Sequence, residues 1–166
     1  TGVLPSSSES KSRKNMVASV HPLATKAGVD AFAKGGNAID AAIATALTLG
    51  VVDNFKSGIG GGGSSWIRTA KGEVYAIDGR EMAPSAATQD LFRNAKGRFA
   101  NPSQTGALAS GVPGALQAYA QAVAEHGRLG LSASLQKGME AAENGFPVTD
   151  AYAGKLRIAK KAMVQF

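Results

Sequence analysis

No cysteine occurs among the 166 residues. That excludes disulfides, a thiol nucleophile and every cysteine-based metal or cluster site. Histidine is nearly as scarce: His21 and His126 stand far apart without ligand-like spacing, so no metal is expected. Long apolar runs are missing too. Ala38–Val52 comes nearest, but Asp40, Thr45 and Thr48 interrupt it, and no membrane span of about 18 residues can be built. A basic folded face is the fourth absence. The net charge is +6, yet residues 1–14 hold +2 and residues 155–166 hold +4, which leaves 15–154 neutral. A neutral body with basic ends does not suit a phosphate-tracking surface, so nucleic acid is not an expected partner.

What remains is an ordinary globular composition, 44% hydrophobic and long enough for one domain with a core. Residues 1–14 are polar and Ser-rich, without periodicity, and read as a flexible tail. The chain has neither an initiator Met nor an apolar signal core, so its numbering is expected to start after processing or at an arbitrary cut, and the Ser-rich stretch is compatible with export. From Met16 the pattern tightens. Met16–Val20 reads as a short buried strand, and His21-Pro22 opens a helix carrying Leu23, Ala27 and Ala31, stopped by Gly35-Gly36. Asn37 stands as the N-cap of a second helix, with Asp40 as its acidic partner. Its expected stripe is Ile39, Ala42, Ile43, Ala46 and Leu47, and its expected stop is Gly50. Two such Ala-rich helices should pack closely.

Ser64–Ala70 and Glu73–Asp78, joined by Lys71-Gly72, read as a β-hairpin. A loop-rich stretch with Pro84 and Pro102 follows. Val112-Pro-Gly-Ala115 opens a helix with a face of Leu116, Tyr119, Ala120 and Val123, ended by Gly127. A further helix over about Ser132–Glu143 stops at Asn144-Gly145, and a basic helix starts near Asp150.

Three places invite a functional reading. Gly58-Ile-Gly-Gly-Gly-Gly63 matches G-x-G-x-x-G literally. A dinucleotide site, however, needs a strand before the motif and a helix after it, the reverse of the order here. The run reads instead as a Gly-rich turn that lets backbone pass close to something. Thr1 could act as an N-terminal nucleophile only if held at the end of a core element, and it heads a polar tail. Asp78-Gly-Arg-Glu81 is the most informative cluster, placing a guanidinium and two carboxylates at a strand exit. Arg80 presents a planar fork that matches a carboxylate bidentately. The competing account is a surface turn held by an Arg–Asp or Arg–Glu pair. His21, beside Pro22, reads as a structural loop residue.

Taken in order, six stretches resemble the N-terminal part of the large subunit of the γ-glutamyltranspeptidase family. They are Met16-Val-Ala-Ser-Val-His-Pro-Leu-Ala24, Gly35-Gly-Asn-Ala-Ile-Asp-Ala-Ala42 and Ser57-Gly-Ile-Gly-Gly-Gly-Gly63, then Asp78-Gly-Arg-Glu-Met-Ala-Pro84, Ala109-Ser-Gly-Val-Pro-Gly114 and Glu143-Asn-Gly-Phe-Pro-Val148. The resemblance implies an α+β fold, the αββα sandwich of the N-terminal-nucleophile hydrolases, of which this chain supplies helices and part of the sheets. It also implies a self-cleaving precursor whose small subunit begins with the nucleophilic Thr, outside this chain. That Thr attacks the γ-glutamyl amide of glutathione or a related donor, and the acyl group passes to water, an amino acid or a peptide. No catalytic residue and no cofactor is then expected here. Arg80 is the implied substrate-binding residue, holding the α-carboxylate of the glutamyl group.

The partners implied are the donor, the acceptor, the remaining large-subunit segment and the small subunit. Residues 15–166 are expected to be an incomplete domain, inactive alone, in a periplasmic or secreted enzyme. Two departures bear on subfamily and acceptor. Val51-Val-Asp-Asn54 stands where the family often has Val-Val-Glu-Pro, and Leu131 lies near the place of a frequent Trp. A non-catalytic binding module and a related side-chain amide acylase are the alternatives.

Overall fold

The computed structural model of the chain describes residues 14–94, 96–98 and 103–165. The tail expected over residues 1–14 lies outside these, apart from Lys14, as does Pro102.

Helix α1, Pro22–Ala33, starts where Pro is favoured, with His21 as its N-cap. The His21 Nδ1 accepts from the Leu23 N–H at 3.3 Å. Gly35, at φ +88°, takes the left-handed turn that ends the helix. Helix α2, Ala38–Val52, opens with a capping box. Asn37 Oδ1 accepts from the Ile39 and Asp40 N–H groups, and Asp40 Oδ2 accepts from the Asn37 N–H at 2.8 Å.

The two helices lie close because Gly28 leaves room. A Cβ there would meet the Thr45 hydroxyl and sit 3.0 Å from the Ala41 carbonyl. On the opposite flank, a Cβ on Gly138 of helix α4 (Gly130–Asn144) would lie 3.2 Å from the Leu47 carbonyl. Helix α2 is therefore enclosed by α1 and α4. That enclosure corrects the expected stripe: Ala42 is exposed, whereas Ala41, Ala44, Thr45 and Thr48 are buried. The two threonines fit because their hydroxyls donate to the Ala41 and Ala44 carbonyls, each at 2.8 Å. The helix also runs through Gly50 to Val52 and is capped by Asp53, so Gly50 is not its stop. Gly58 passes beside Gly50 instead, its Cα 3.5 Å from where a Cβ would stand.

Strands β1 (Gly63–Arg68) and β2 (Val74–Gly79) form the expected antiparallel hairpin, with Trp66 opposite Ala76 and Gly72 in the turn at φ +87°. One face is apolar and covered: Ile67 and Ile77 join Ile43, Leu47, Ala118, Ala122 and Val123 in the core. Trp66 points to the other face and is 77% exposed. Helix α3, Ala115–His126, lies against the hairpin. It buries Ala115, Ala118, Ala122 and Val123, with Tyr119 packed against the core; of the expected face Val123 and Tyr119 face inward, whereas Leu116 turns outward, a correction. Small side chains win here because α3 approaches Gly79 so closely that a Cβ on that glycine would lie 2.5 Å from the Ala118 Cβ.

Met16–Val20 forms no strand. It pairs with no strand among the described residues, Val20 is 79% exposed, and within it only Val17 packs on the helix core. A strand needs a ladder partner, and the hairpin lies elsewhere. Helix α4 stops at Gly145, φ +77°, and the basic helix α5 covers Asp150–Gln165. Tyr152 ties α5 to Phe55 and Phe146 through edge-on ring contacts at 5.5 and 5.8 Å.

Helices α1–α4 thus form one layer and the hairpin a second. One buried carboxylate joins the two ends of the helical layer. Asp40 accepts from Asn37 before α2, and from the Arg128 and Leu129 N–H groups between α3 and α4 at 2.9–3.1 Å. Burial works against ionisation of Asp40, but the N–H donors of Asn37, Leu129 and Arg128 prevail and hold its carboxyl below the ordinary range.

Candidate substrate-binding site

Strand β2 delivers Arg80 one residue past its end. The Asp78 carboxylate turns the chain there, its Oδ1 accepting from the Arg80 N–H at 3.0 Å. The guanidinium Nη2 donates to Glu81 Oε1 at 3.2 Å, and the two side chains are 62% and 41% exposed. An exposed pair of this kind contributes little to stability. Among the described residues Glu81 is the guanidinium's hydrogen-bond partner, which leaves donors for an incoming carboxylate. Both sequence accounts of the cluster are therefore compatible with its geometry: the turn and the Arg–Glu pair are present, and the fork is accessible.

Three of the recognisable stretches converge on this turn. Met82 and Val112 exchange backbone hydrogen bonds at 3.1 and 2.8 Å, fastening Asp78–Pro84 to Ala109–Gly114. The Gly61 carbonyl accepts from the N–H groups of Gly114 and Ala115, each at 3.2 Å, fastening the Gly-rich loop to the start of α3. Gly62 then lies directly on the Arg80–Glu81 peptide. A Cβ on Gly62 would collide with the Glu81 N and stand 2.8 Å from the Arg80 carbonyl carbon. The Gly-rich run is a turn for close backbone approach, and what it approaches is the Arg80 segment. Glycine content alone signals such an approach without naming its object. The loop also follows α2 and precedes β1, the wrong order for a dinucleotide fold.

The histidines stay apart from this turn in their contacts. His21 caps α1 and meets Phe146 edge-on at 6.3 Å. His126 ends α3, lies over Tyr75 at 4.6 Å, and has Glu125 Oε2 at 3.7 Å from its buried Nε2. Among the described residues no group of three potential ligands could hold a metal ion, and no helix is long and apolar enough to cross a membrane. A cavity of about 770 Å³ is lined by Met16–His21, one side of α2 and Phe55, and does not include Arg80. Thr1 lies outside the described residues.

The family model for gamma-glutamyltranspeptidase matches residues 24–165. The chain belongs to the γ-glutamyltranspeptidase family. It is 40% identical over 148 residues to the glutathione hydrolase proenzyme of Escherichia coli K12, covering 89% of this chain and 26% of that protein. It is 41% identical over 143 residues to the acylase ACY 1 proenzyme of Pseudomonas sp. strain V22, covering 82% and 26%. Among solved structures, the Helicobacter pylori γ-glutamyltranspeptidase superposes with a TM-score of 0.91 at 34% identity, covering 95% of this chain and 46% of that one. The chain spans about a quarter of the length of these two curated relatives. Its α+β architecture is that of the N-terminal-nucleophile hydrolases, of which this chain supplies helices and part of the sheets.

Proposed function

We propose that this chain is part of a γ-glutamyltransferase, or glutathione hydrolase, in which Arg80 binds the α-carboxylate of the γ-glutamyl donor. The nucleophile is a Thr outside this chain, at the start of a small subunit formed by self-cleavage. It takes the γ-glutamyl group from glutathione or a related amide and releases the amine. Water, an amino acid or a peptide then takes the acyl group from the Thr oxygen. No residue of this chain forms or breaks those bonds. Its part is to fix the far end of the substrate, so that the amide carbon reaches the nucleophile oriented. In this reading the enzyme acts outside the cytoplasm, in the periplasm or beyond the cell, the placement that the family resemblance implies.

The observation that carries this reading is the guanidinium itself. Arg80 is 62% exposed in its side chain, stands at the exit of a strand, and sits on backbone fastened to two other segments. The test is replacement of Arg80 by Ala or Lys in the complete enzyme, assayed with γ-glutamyl-p-nitroanilide. A hydrogen-bonded charge pair of about 1.5–3 kcal/mol corresponds to a rise of roughly ten- to a hundredfold in donor KM. Lys should not restore it, because an ammonium cannot reproduce the fork. An unchanged donor KM rejects the assignment.

A side-chain amide acylase is the second reading, and the Pseudomonas acylase ACY 1 proenzyme supports it with 41% identity. The intact Asp78-Gly-Arg-Glu81 favours an α-amino-acid donor over it. Comparing γ-glutamyl and N-acyl substrates in one preparation separates the two.

A further inference from the structure

The geometry points to Gly62 and Gly114 as positioning residues for Arg80, two jaws of backbone from separate segments of the chain that hold the peptides on either side of it, Gly114 at Gly79–Arg80 and Gly62 at Arg80–Glu81. The inference rests on Arg80 being the donor-binding residue and adds how its place is set.

A Cβ on Gly114 would stand 2.6 Å from the Gly79 carbonyl oxygen and 2.8 Å from the Arg80 carbonyl oxygen. A Cβ on Gly62 would overlap the Glu81 N and lie 2.8 Å from the Arg80 carbonyl carbon. The Gly62 Cβ would also meet the Glu81 carboxylate, which can turn away, but the other neighbours are backbone atoms that no rotamer change relieves. The Arg80–Glu81 peptide would have to move, and the guanidinium with it. The jaws are themselves joined, since the Gly61 carbonyl accepts from the Gly114 and Ala115 N–H groups at 3.2 Å. The Met82–Val112 bridge closes the frame on its far side. Neither Gly62 nor Gly114 has a positive φ, so the requirement at both is for space and not for a left-handed backbone. Gly60, by contrast, faces open space among the described residues. The need for glycine is therefore confined within the run to the point of contact with Arg80.

The experiment is Gly62→Ala in the complete enzyme, with processing into subunits and thermal melting checked first. Donor KM should rise about tenfold while kcat falls less than about threefold, the mark of a displaced ground-state anchor. In an Arg80→Ala background the same substitution should add less than about twofold, because the two act through one group. A normal donor KM for Gly62→Ala, or an undiminished effect without Arg80, overturns the inference while a raised KM for Arg80→Ala keeps the substrate reading. A normal KM for Arg80→Ala removes both. Should Gly62→Ala fail to mature, Gly111→Ala serves, since its Cβ would press on the Glu81 side chain at only 3.3–3.4 Å. Donor KM should then rise about twofold, by the same displacement on a smaller scale, and an unchanged value overturns the proposal.

Discussion

Replacing Asp40 by asparagine changes one oxygen to an NH₂ group and leaves the volume unchanged. It should nevertheless cost about 3 kcal/mol, because both carboxylate oxygens receive N–H donors. Oδ1 accepts from Arg128 and Leu129, and Oδ2 accepts from Asn37 and Arg128. Whichever way the amide turns, its NH₂ faces a backbone N–H, so at least one donor is orphaned. That alone costs roughly 1.5–3 kcal/mol for a hydrogen bond to a charged group. The remaining bonds lose their charge assistance, and a negative charge near the start of α2 is lost, adding about 0.5 kcal/mol. The pH dependence has a definite sign. The folded carboxyl ionises below its ordinary value, so its contribution is complete above about pH 4, near the unfolded pKa, and disappears as pH falls toward the folded one. The gap between the native protein and Asp40→Asn should be full at pH 7 and shrink below pH 4. Thermal melting across pH 3–7 measures it, and hydrogen exchange of a peptide spanning residues 126–132 localises it to the Arg128 and Leu129 amides. A variant within about 0.5 kcal/mol at pH 7, with unaltered exchange there, refutes the reasoning.

Two further substitutions probe the scaffold. Gly28→Ala puts a methyl against the Thr45 hydroxyl, 2.9 Å from Val17 Cγ1 and 3.0 Å from the Ala41 carbonyl. It should separate α1 from α2 at a cost of about 1–3 kcal/mol, outweighing the gain in helix propensity; an unchanged or raised melting temperature contradicts the close packing. Gly72→Ala meets no neighbour but must adopt φ +87°, so it should cost about 1 kcal/mol by urea unfolding and leave donor KM unchanged. Gly72→Asn should recover part of that loss, since asparagine tolerates the left-handed region.

Which parts of this structure a sequence discloses depends on how far apart the interacting residues are. The caps at His21 and Asn37, the stops at Gly35 and Gly145 and the turn at Gly72 each depend on a few neighbours, and all are legible. The stripe of α2 is legible in part: Ile43 and Leu47 are buried and Ile39 packs on the core, but α1 and α4 cover the helix from different sides and bury Ala41, Ala44, Thr45 and Thr48 as well. Met16–Val20 has the composition of a strand, but composition carries no information on whether a partner lies alongside. Asp40 shows both limits in one side chain. Its role in the capping box is local and readable, while its bonds to Arg128 and Leu129 span 88 and 89 residues and have no sequence signature.

Arg80 is the harder case. Its residue type and its place after a strand are legible, but an arginine beside two acids describes a solvated turn equally well. The proposed binding role draws its support from glycines that contribute no side chain. A turn that merely faced water would place no demand on Gly62 or Gly114, and a substituent on either would extend into solvent. Here each glycine is bounded by backbone of the Arg80 segment within 2.8 Å of a built Cβ. Two segments more than fifty residues apart thus give up side-chain volume at the two peptides that flank Arg80. A fold gains little stability from that close approach compared with filling the same space with methyl groups, and this is the ground on which the proposal assigns the arrangement to fixing where one guanidinium stands.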